Sequence, residues 1–328
     1  MISISMTDRS QTADARRRAR AAAFDLGLGE AAAERAALIA TEAATNLERH
    51  AISGEILLIP HPHPQFPTLD LVSIDHGPGI ESLSTCLEDG FSTAGGAGHG
   101  LGSIQRQSDR FDIFSTPGKG TIVVATIGKP PQRDLYQIEG LCSPKPGEAR
   151  SGDGWTSLAL ADATVLMVCD GLGHGPKAAK AARAAEQAFT AAGSTDLEAT
   201  IHKLDEDLRP TRGAAVALAA LPVTGASLEF LGVGNISGYL RSGSREQRTV
   251  SFEGVIGRGD FRVRRMSYEV EDPFLAVFAT DGLATRWDLS HYRGLIGREP
   301  ITIAAVLYRD FRRIRDDCTV VVARRFSI

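Results

Sequence analysis

The chain has little of what marks several common classes of protein. Its four cysteines, Cys86, Cys142, Cys169 and Cys318, form no CxxC pair, so neither a zinc site nor a disulfide framework is expected, and a reducing cytoplasm suits the count. No apolar run approaches the roughly 20 residues of a membrane helix, and the first residues lack the apolar core of a secretory signal. A formal net charge of only −4 gives no electrostatic reason to expect nucleic acid as a partner.

Length and composition favour two globular domains. The chain has 328 residues, 43% of them hydrophobic and 23% charged, which is enough for two domains of ordinary size that each bury a core. Paired prolines, Pro130 and Pro131, interrupt regular structure within residues 129–134 and indicate a short linker. We therefore expect a first domain over residues 1–128 and a second over residues 135–328.

The pattern of apolar residues predicts an α+β fold class for the whole chain. In the first half it indicates helices at 14–24 and 31–51, followed by strands at 55–59, 69–75, 110–115 and 121–127. In the second half it indicates strands at 156–161, 164–170, 213–221, 227–232, 274–280 and 319–323, with helices at 176–191, 197–208 and 302–311. Consecutive strands joined by tight turns favour antiparallel sheets with the helices outside.

Polar residues of the first half are placed where an ATP site needs them. Glu42 and Asn46 are one helical turn apart and therefore share a face. An asparagine amide oxygen can be a ligand of Mg²⁺, and a glutamate beside it can orient or deprotonate an attacking hydroxyl. Asp75 ends a hydrophobic strand, where its carboxylate can accept a hydrogen bond from an adenine amino group, while Gly77 and Gly79 let the backbone approach the base.

A glycine-rich loop and a threonine complete this pattern. Gly98, Gly100 and Gly102 are predicted to belong to a lid that runs into a helix, whose N-terminal amides can hold phosphates. Thr121 follows a glycine turn, 118–120, and begins a strand. The order and spacing of these elements resemble the GHKL ATPase superfamily, whose Bergerat fold is an α/β sandwich.

The resemblance narrows to the RsbT-type serine/threonine switch kinases of bacterial partner-switching modules in the stress response, over about residues 10–128. The motifs that carry it are 75–80, 89–93, 95–102, 111–115 and 118–121. In that family Glu42 would be the base, Asn46 the Mg²⁺ ligand and Asp75 the residue that reads adenine. The alternative for this half is a GHKL fold that binds ATP without transferring phosphate.

Four aspartates of the second half, Asp153, Asp170, Asp281 and Asp317, fall at the ends of predicted strands. Carboxylates without cysteine or paired histidine suit Mg²⁺ or Mn²⁺ rather than zinc. Two such ions can lower the pKa of a bridging water and make it a nucleophile toward phosphorus. Gly171, directly after Asp170, leaves its carbonyl free to act as a further ligand.

This arrangement resembles the SpoIIE/RsbX branch of the type 2C metal-dependent phosphatases, over roughly residues 134–326. The resemblance implies an αββα sandwich with two Mn²⁺ or Mg²⁺ ions, in which Asp170 bridges both, Asp153 and Asp281 serve one each, and Asp317 completes the set. His174 could be a general acid or only a capping residue, and Asn235 could support the site or only satisfy a turn. Arg212 could contact a phosphoprotein or be a solvated charge.

Together the two resemblances imply a cytoplasmic bifunctional regulator. Its first domain would use Mg-ATP to phosphorylate a serine or threonine of a STAS-domain antagonist protein, and its second would hydrolyse the phosphorylated form. The expected partners are these proteins, with no nucleic acid and no membrane, and a homo-oligomer remains open. One alternative is a first domain that sequesters a sigma factor or STAS protein without kinase activity, and another is an ATPase coupled to conformational change.

Overall fold

The computed structural model describes residues 1–8, 10–80, 83, 100–129, 135–225 and 227–325, and the chain divides into two compact units. Unit 1 comprises Met1–Arg133 and Leu289–Arg309, and unit 2 comprises Asp134–Asp288 and Asp310–Ile328. The first division falls inside the stretch that we predicted as a linker. The second differs from the prediction, which gave all of 135–328 to one domain.

Unit 1 is built on an antiparallel five-stranded sheet covered by helices. The strand order is β1-β2-β3-β5-β4. The elements are β1 (Ile2–Ser5), α1 (Ser10–Asp25), α2 (Glu30–His50), β2 (Gly54–His61), β3 (Thr68–Asp75), α3 (Gly100–Gln107), β4 (Arg110–Thr116) and β5 (Gly120–Ile127). Alanines at every fourth position of α2, Ala36, Ala40 and Ala44, are fully buried, because one face of the helix lies against the core.

Unit 2 contains two antiparallel five-stranded sheets, ordered β15-β10-β9-β8-β7 and β12-β11-β16-β17-β6, and a small β13-β14 pair. The first strands and helices are β6 (Tyr136–Ser143), β7 (Asp153–Ala159), β8 (Ala163–Gly171), α4 (Pro176–Ala192), α5 (Leu197–Leu208), β9 (Ala214–Pro222), β10 (Ser227–Val233) and β11 (Ser237–Ser242). The remaining elements are β12 (Arg245–Arg248), β13 (Gly254–Val255), β14 (Asp260–Phe261), β15 (Met266–Glu269), β16 (Phe274–Ala279), α6 (Pro300–Phe311) and β17 (Cys318–Arg325).

The two large sheets pack face to face, which makes the core of unit 2. Leu166 and Phe230 of one sheet and Phe278 and Val321 of the other belong to one buried cluster, and the rings of Phe230 and Phe278 stack with centroids 6.0 Å apart. Helices α4 and α5 contribute to a second cluster on the outer face of the first sheet. The predicted α+β class, with an ATPase-like sandwich and a phosphatase-like sandwich, is confirmed.

A polar anchor explains why the segment Leu289–Arg309 belongs to unit 1. This segment holds two short 3-10 turns and most of α6. Its Arg298, Glu299 and Thr302 all donate hydrogen bonds to the buried carboxylate of Asp112 on β4. Across the described residues, no helix is both long and apolar enough to pass through a membrane.

Candidate functional site

Two of the predicted aspartates of unit 2 lie directly opposite each other on neighbouring strands. Asp153 begins β7 and Asp170 lies near the end of β8, and their backbones are paired in the antiparallel register. Gly171 is the last residue of β8, and a Cβ there would lie 2.5 Å from the carbonyl oxygen of Ala178 on α4. The register therefore brings both carboxylates to the same end of β7 and β8, where Gly171 permits a close approach of α4.

The other two aspartates reach the same region from the second sheet. Asp281 follows β16, and Asp317 comes directly before β17. The carboxylate of Asp317 accepts hydrogen bonds from the backbone N–H of Lys145 at 2.8 Å and of Gly152, the neighbour of Asp153, at 2.9 Å. These contacts fix Asp317 beside the start of β7.

The electrostatics of this region reflect several acids brought together. Burial, with the charges of Asp281, Asp316 and Asp317, raises the pKa of Asp170 to about 7. Burial and the charge of Asp170 raise the pKa of Asp153 well above its usual range. The pKa values of Asp281 and Asp317 are also raised, in both cases first by burial and then by neighbouring acid. Such a cluster favours the binding of protons or of a cation.

The donor chemistry fits a divalent cation, since several carboxylate oxygens and a free backbone carbonyl are the ligands that Mg²⁺ and Mn²⁺ prefer. Within the described residues, however, no three His, Cys, Asp or Glu side chains converge on one point that could hold a metal ion. Two carboxylates turn instead toward protein donors: Thr280 Oγ1 donates to Asp153 at 2.7 Å and Asn235 Nδ2 donates to Asp281 at 2.8 Å. The four aspartates and Gly171 therefore stay predicted ligands.

Sequence reasoning did not single out some residues that shape this site. Asp316, directly before the predicted ligand Asp317, is one of them, since its charge acts on both Asp170 and Asp281. Thr280 is another, because its hydroxyl donates to Asp153 and also accepts a hydrogen bond from the backbone N–H of Thr319 at 2.9 Å. An acidic pair directly before a strand was the available signal for Asp316, whereas Thr280 gave none.

His174 has a specific partner that sequence reasoning missed. Its Nδ1 lies 2.8 Å from Oε1 of Glu148. Arg212 comes close to the same loop, since its Nη1 would lie 3.0 Å from a Cβ built on Gly173. The loop that follows Asp170 therefore carries an oriented imidazole and has a guanidinium beside it.

In unit 1 the structure gathers the predicted adenine-reading residues at the ends of β3 and β5. The carboxylate of Asp75 accepts hydrogen bonds from the backbone N–H of Gly77 at 2.6 Å and of Thr121 at 3.1 Å. Burial raises the pKa of Asp75 despite these donors. Gly120 has a φ of +98°, and a Cβ there would lie 2.1 Å from the carbonyl oxygen of Asp75, so only glycine allows this approach. Gly79 also has a positive φ, +75°.

The predicted phosphate end of this site is described only in part. Glu42 and Asn46 lie half-buried on α2. Asn46 is beside the first residue of α3, since a Cβ on Gly100 would lie 2.8 Å from the Asn46 side-chain oxygen. Gly102 is buried in α3, whereas Gly98 is outside the described residues. The structure thus brings Asn46 to the N-terminus of a helix, a position that favours anionic ligands.

Two family models match the two halves of the chain. The model described as Histidine kinase-like ATPase domain matches residues 5–127, and the model described as Stage II sporulation protein E (SpoIIE) matches residues 161–326. Among curated proteins, the serine/threonine-protein kinase RsbT of Bacillus subtilis (strain 168) is 35% identical over 111 residues, which are 34% of this chain and 84% of RsbT.

Solved structures support the fold. RsbX, crystallised in complex with magnesium, has a TM-score of 0.54 and 21% identity, with 60% of this chain and 98% of RsbX covered. The structure of the PP2C phosphatase domain and a fragment of the regulatory domain of SpoIIE from Bacillus subtilis has a TM-score of 0.50 and 20% identity. The similarity covers 97% of this chain and 99% of the SpoIIE chain.

Proposed function

The chain belongs to the SpoIIE family of type 2C phosphatases and carries a histidine kinase-like ATPase domain related to RsbT, and from this premise we propose that it is a bifunctional partner-switching regulator. Unit 2 removes phosphate from a phosphoserine or phosphothreonine of a STAS-domain antagonist protein, and unit 1 uses Mg-ATP to phosphorylate such a protein. The acid cluster of unit 2 is the observation that carries the proposal, because buried carboxylates that raise one another's pKa are otherwise costly.

In unit 2, Asp153, Asp170, Asp281 and Asp317, with the carbonyl of Gly171, would hold two Mn²⁺ or Mg²⁺ ions. When bound, these ions supply an activated water nucleophile and positive charge for the phosphoryl oxygens. Asn235 holds the carboxylate of Asp281 in place, as Thr280 does for Asp153. Outer hydrogen bonds of this kind orient ligands and tune their basicity.

His174 would move a proton in the same reaction. Its Nδ1 is held by Glu148 at 2.8 Å, which leaves Nε2 as the ring atom available to a substrate. A histidine oriented in this way can protonate the leaving serine or threonine oxygen. Arg212, beside Gly173 of the same loop, would supply a positive charge for the phosphoryl group.

In unit 1, Asp75 would read the adenine amino group, with Gly77, Gly79 and Thr121 beside the base. Asn46 would hold Mg²⁺, and the amides around Gly98, Gly100 and Gly102 would hold the phosphates. Glu42, one helical turn from Asn46, would accept the proton of the attacking serine or threonine hydroxyl. In such a site the protein would position ATP and the acceptor hydroxyl and would stabilise the negative charge on the transferred phosphoryl group.

The decisive experiment follows the label on a purified STAS-domain partner after incubation with radiolabelled ATP and Mg²⁺ or Mn²⁺. We expect label to build up with Asp170→Asn, which removes phosphatase activity, and to disappear with Glu42→Gln, which removes the base. Two matched controls are exposed acids of the same units, Glu34→Gln on α2 and Asp207→Asn on α5, and both should behave as wild type.

A second candidate function keeps the phosphatase but makes unit 1 an ATP-dependent binding module that sequesters its partner. No label on the partner with Asp170→Asn, together with partner binding that requires ATP and survives Glu42→Gln, would favour this alternative. ATP hydrolysis without any labelled acceptor would favour a conformationally coupled ATPase. Hydrolysis of a phosphopeptide by the full chain tests the phosphatase independently, and an inactive wild type with either metal would contradict its assignment.

We place this activity in the cytoplasm, because the described thiols of Cys142, Cys169 and Cys318 are free and a reducing compartment preserves such thiols. A homo-oligomer is compatible with the proposal but is not needed for it.

A further inference from the structure

The segment 289–309 leaves the phosphatase half of the sequence and belongs to unit 1, where its anchor on Asp112 is specific. Asp112 is 8% exposed and Thr302 is fully buried. Oδ2 of Asp112 accepts hydrogen bonds from Thr302 Oγ1 at 2.7 Å and from the backbone N–H of Glu299 at 3.0 Å, and Oδ1 accepts from Arg298 Nη1 at 3.2 Å. Hydrogen bonds to a buried charge are the strong class, so this segment is held firmly in unit 1.

Other contacts place the same segment next to the candidate nucleotide site. Lys119, in the turn between β4 and β5 that precedes Thr121, lies 4.3 Å from the ring centroid of Tyr292. At the other end of the segment, the charge of Arg309 acts on the carboxylate of Asp75, and Arg309 itself is 8% exposed. A nucleotide whose base binds at Asp75 would therefore lie beside Arg309, which belongs to the segment, and beside Lys119, which contacts it.

Both ends of the segment continue into the acid cluster of unit 2. The chain enters the segment after Asp281 and leaves it before Asp317. The residues just before the segment are hydrogen-bonded to those just after it, and we call this pairing the neck. In this neck, the N–H of Ala284 donates to the carbonyl of Phe311 at 2.9 Å and that of Arg313 to the carbonyl of Gly282 at 2.7 Å. A Cβ on Gly282 would lie only 1.7 Å from the carbonyl oxygen of Asp317. A shift of the neck must therefore move Asp281 and Asp317 together.

We propose that nucleotide bound at Asp75 of unit 1 raises the affinity of the unit 2 carboxylates for a divalent cation, and that the segment 289–309 transmits this effect. The inference rests on the proposed function of both units. A base bound at Asp75 adds contacts beside Arg309 and Lys119, which favours the anchored segment and, through the neck, the arrangement in which Asp281 and Asp317 face the other carboxylates. Linkage then requires that the cation raise nucleotide affinity by the same factor.

The test measures phosphatase activity of the full chain on a phosphopeptide against free Mn²⁺, set with a metal buffer so that chelation by nucleotide does not change it. The titration is run with and without saturating AMP-PNP. For wild type we expect nucleotide to lower the half-saturating free Mn²⁺ by about 5-fold or more, the lower end of typical allosteric coupling. Binding of a fluorescent ATP analogue, measured separately, reports on unit 1 without using activity.

Two variants weaken the anchor and leave both candidate sites unchanged. Asp112→Asn places an amide group where four donors now meet a carboxylate, and Thr302→Val removes one of these donors with little change of shape. Both should bind nucleotide and keep basal activity at saturating Mn²⁺, but should reduce the nucleotide effect to less than about 2-fold. The control is Asp109→Asn, which breaks an ion pair with Arg35 in the same unit and should keep the full effect.

The outcomes separate the inference from the function on which it rests. A wild-type shift below about 2-fold, with normal nucleotide binding and normal phosphatase activity, overturns the inference alone, and so does a full shift in both anchor variants. A wild type that binds no nucleotide, or that hydrolyses no phosphopeptide, overturns the proposed function of that unit and the inference with it. Hydrogen exchange over residues 283–313 should slow on nucleotide binding in wild type and not in Thr302→Val.

Discussion

Replacing Asp170 by asparagine should have opposite effects on stability and on activity. The carboxylate of Asp170 lies opposite Asp153 in the sheet register and shares its surroundings with three further aspartates. With a chelator present and at pH 8, the ionised carboxylate of Asp170 is not neutralised by a bound metal ion. Asp170→Asn removes that charge with little change of volume, so the metal-free protein should become more stable, whereas phosphatase activity should be lost.

The size of the gain follows from the pKa of Asp170, which is raised to about 7 from an ordinary 3.8, first by burial and then by neighbouring acids. One pKa unit corresponds to about 1.4 kcal/mol, so the ionised group costs the fold up to about 4 kcal/mol. The amide keeps part of the burial penalty, which leaves a gain of about 2 kcal/mol. For a domain of this size we expect an increase in Tm of about 4 to 8 °C.

The pH dependence has a definite sign. The folded-state pKa of this acid is raised, so the cost of its charge is fully present above about pH 7 and absent below the unfolded value near 3.8. The advantage of Asp170→Asn should therefore shrink as pH falls from 8 to 4.5. Saturating Mn²⁺ should reverse the order of the two proteins at pH 8, because ligand binding stabilises only the protein that retains the site.

The assay is thermal unfolding by calorimetry, in EDTA and in Mn²⁺, at pH 8, 6 and 4.5. The control Asp207→Asn removes an exposed carboxylate of α5 and should change Tm by little at any pH. A lower Tm for Asp170→Asn in EDTA at pH 8, by as much as at pH 4.5, would refute the argument that these carboxylates repel one another.

Three further changes test individual contacts. Thr280→Val removes the 2.7 Å hydrogen bond to Asp153, and we expect a 10- to 100-fold loss of Mn²⁺ affinity in activity titrations. Asn235→Ala removes the amide donor to a second predicted ligand and should weaken Mn²⁺ about 10-fold while maximal activity changes less. Gly120→Ala forces a side chain into backbone at a φ of +98° beside Asp75. It should abolish binding of a fluorescent ATP analogue and lower the free energy of unfolding by about 3 kcal/mol.

Much of the fold was readable from local patterns, and the reasons can be seen in single elements. Helix α5 was predicted at its observed bounds, Leu197–Leu208, because its apolar residues repeat at helical spacing and Asp196 caps it, accepting hydrogen bonds from two backbone N–H groups. Strand β3 was predicted within one residue, since its apolar run ends at a polar carboxylate. In these two elements, burial of one face or of a continuous run leaves a pattern of apolar residues that predicts the secondary structure.

Strands β6 and β11 were missed although each buries apolar residues, and two other missed strands carry no such pattern. Strand β12, Arg245–Arg248, is wholly polar, and it forms because β11 offers a complete antiparallel partner. Strand β1 is only four residues long. The anchor of the segment 289–309 joins Asp112 to Thr302, which are 190 residues apart. No periodicity encodes such a pairing, so only the folded chain reveals that a stretch of the phosphatase half belongs to unit 1.

The two units use the same side chain in opposite ways, which bears on why the acid cluster is retained. In unit 1, buried aspartates are satisfied by the protein: Asp112 accepts hydrogen bonds from four residues, and Asp70 lies between His61 and Thr126. In unit 2, Asp170 is surrounded mainly by other acids, and its pKa is raised by burial and by their charges. Unpaired buried charge lowers stability, and an amide or apolar side chain would relieve it. A fold with such a cluster therefore carries, above about pH 7, a cost that a bound cation removes, and this is the physical argument for treating the cluster as a site rather than as part of the framework.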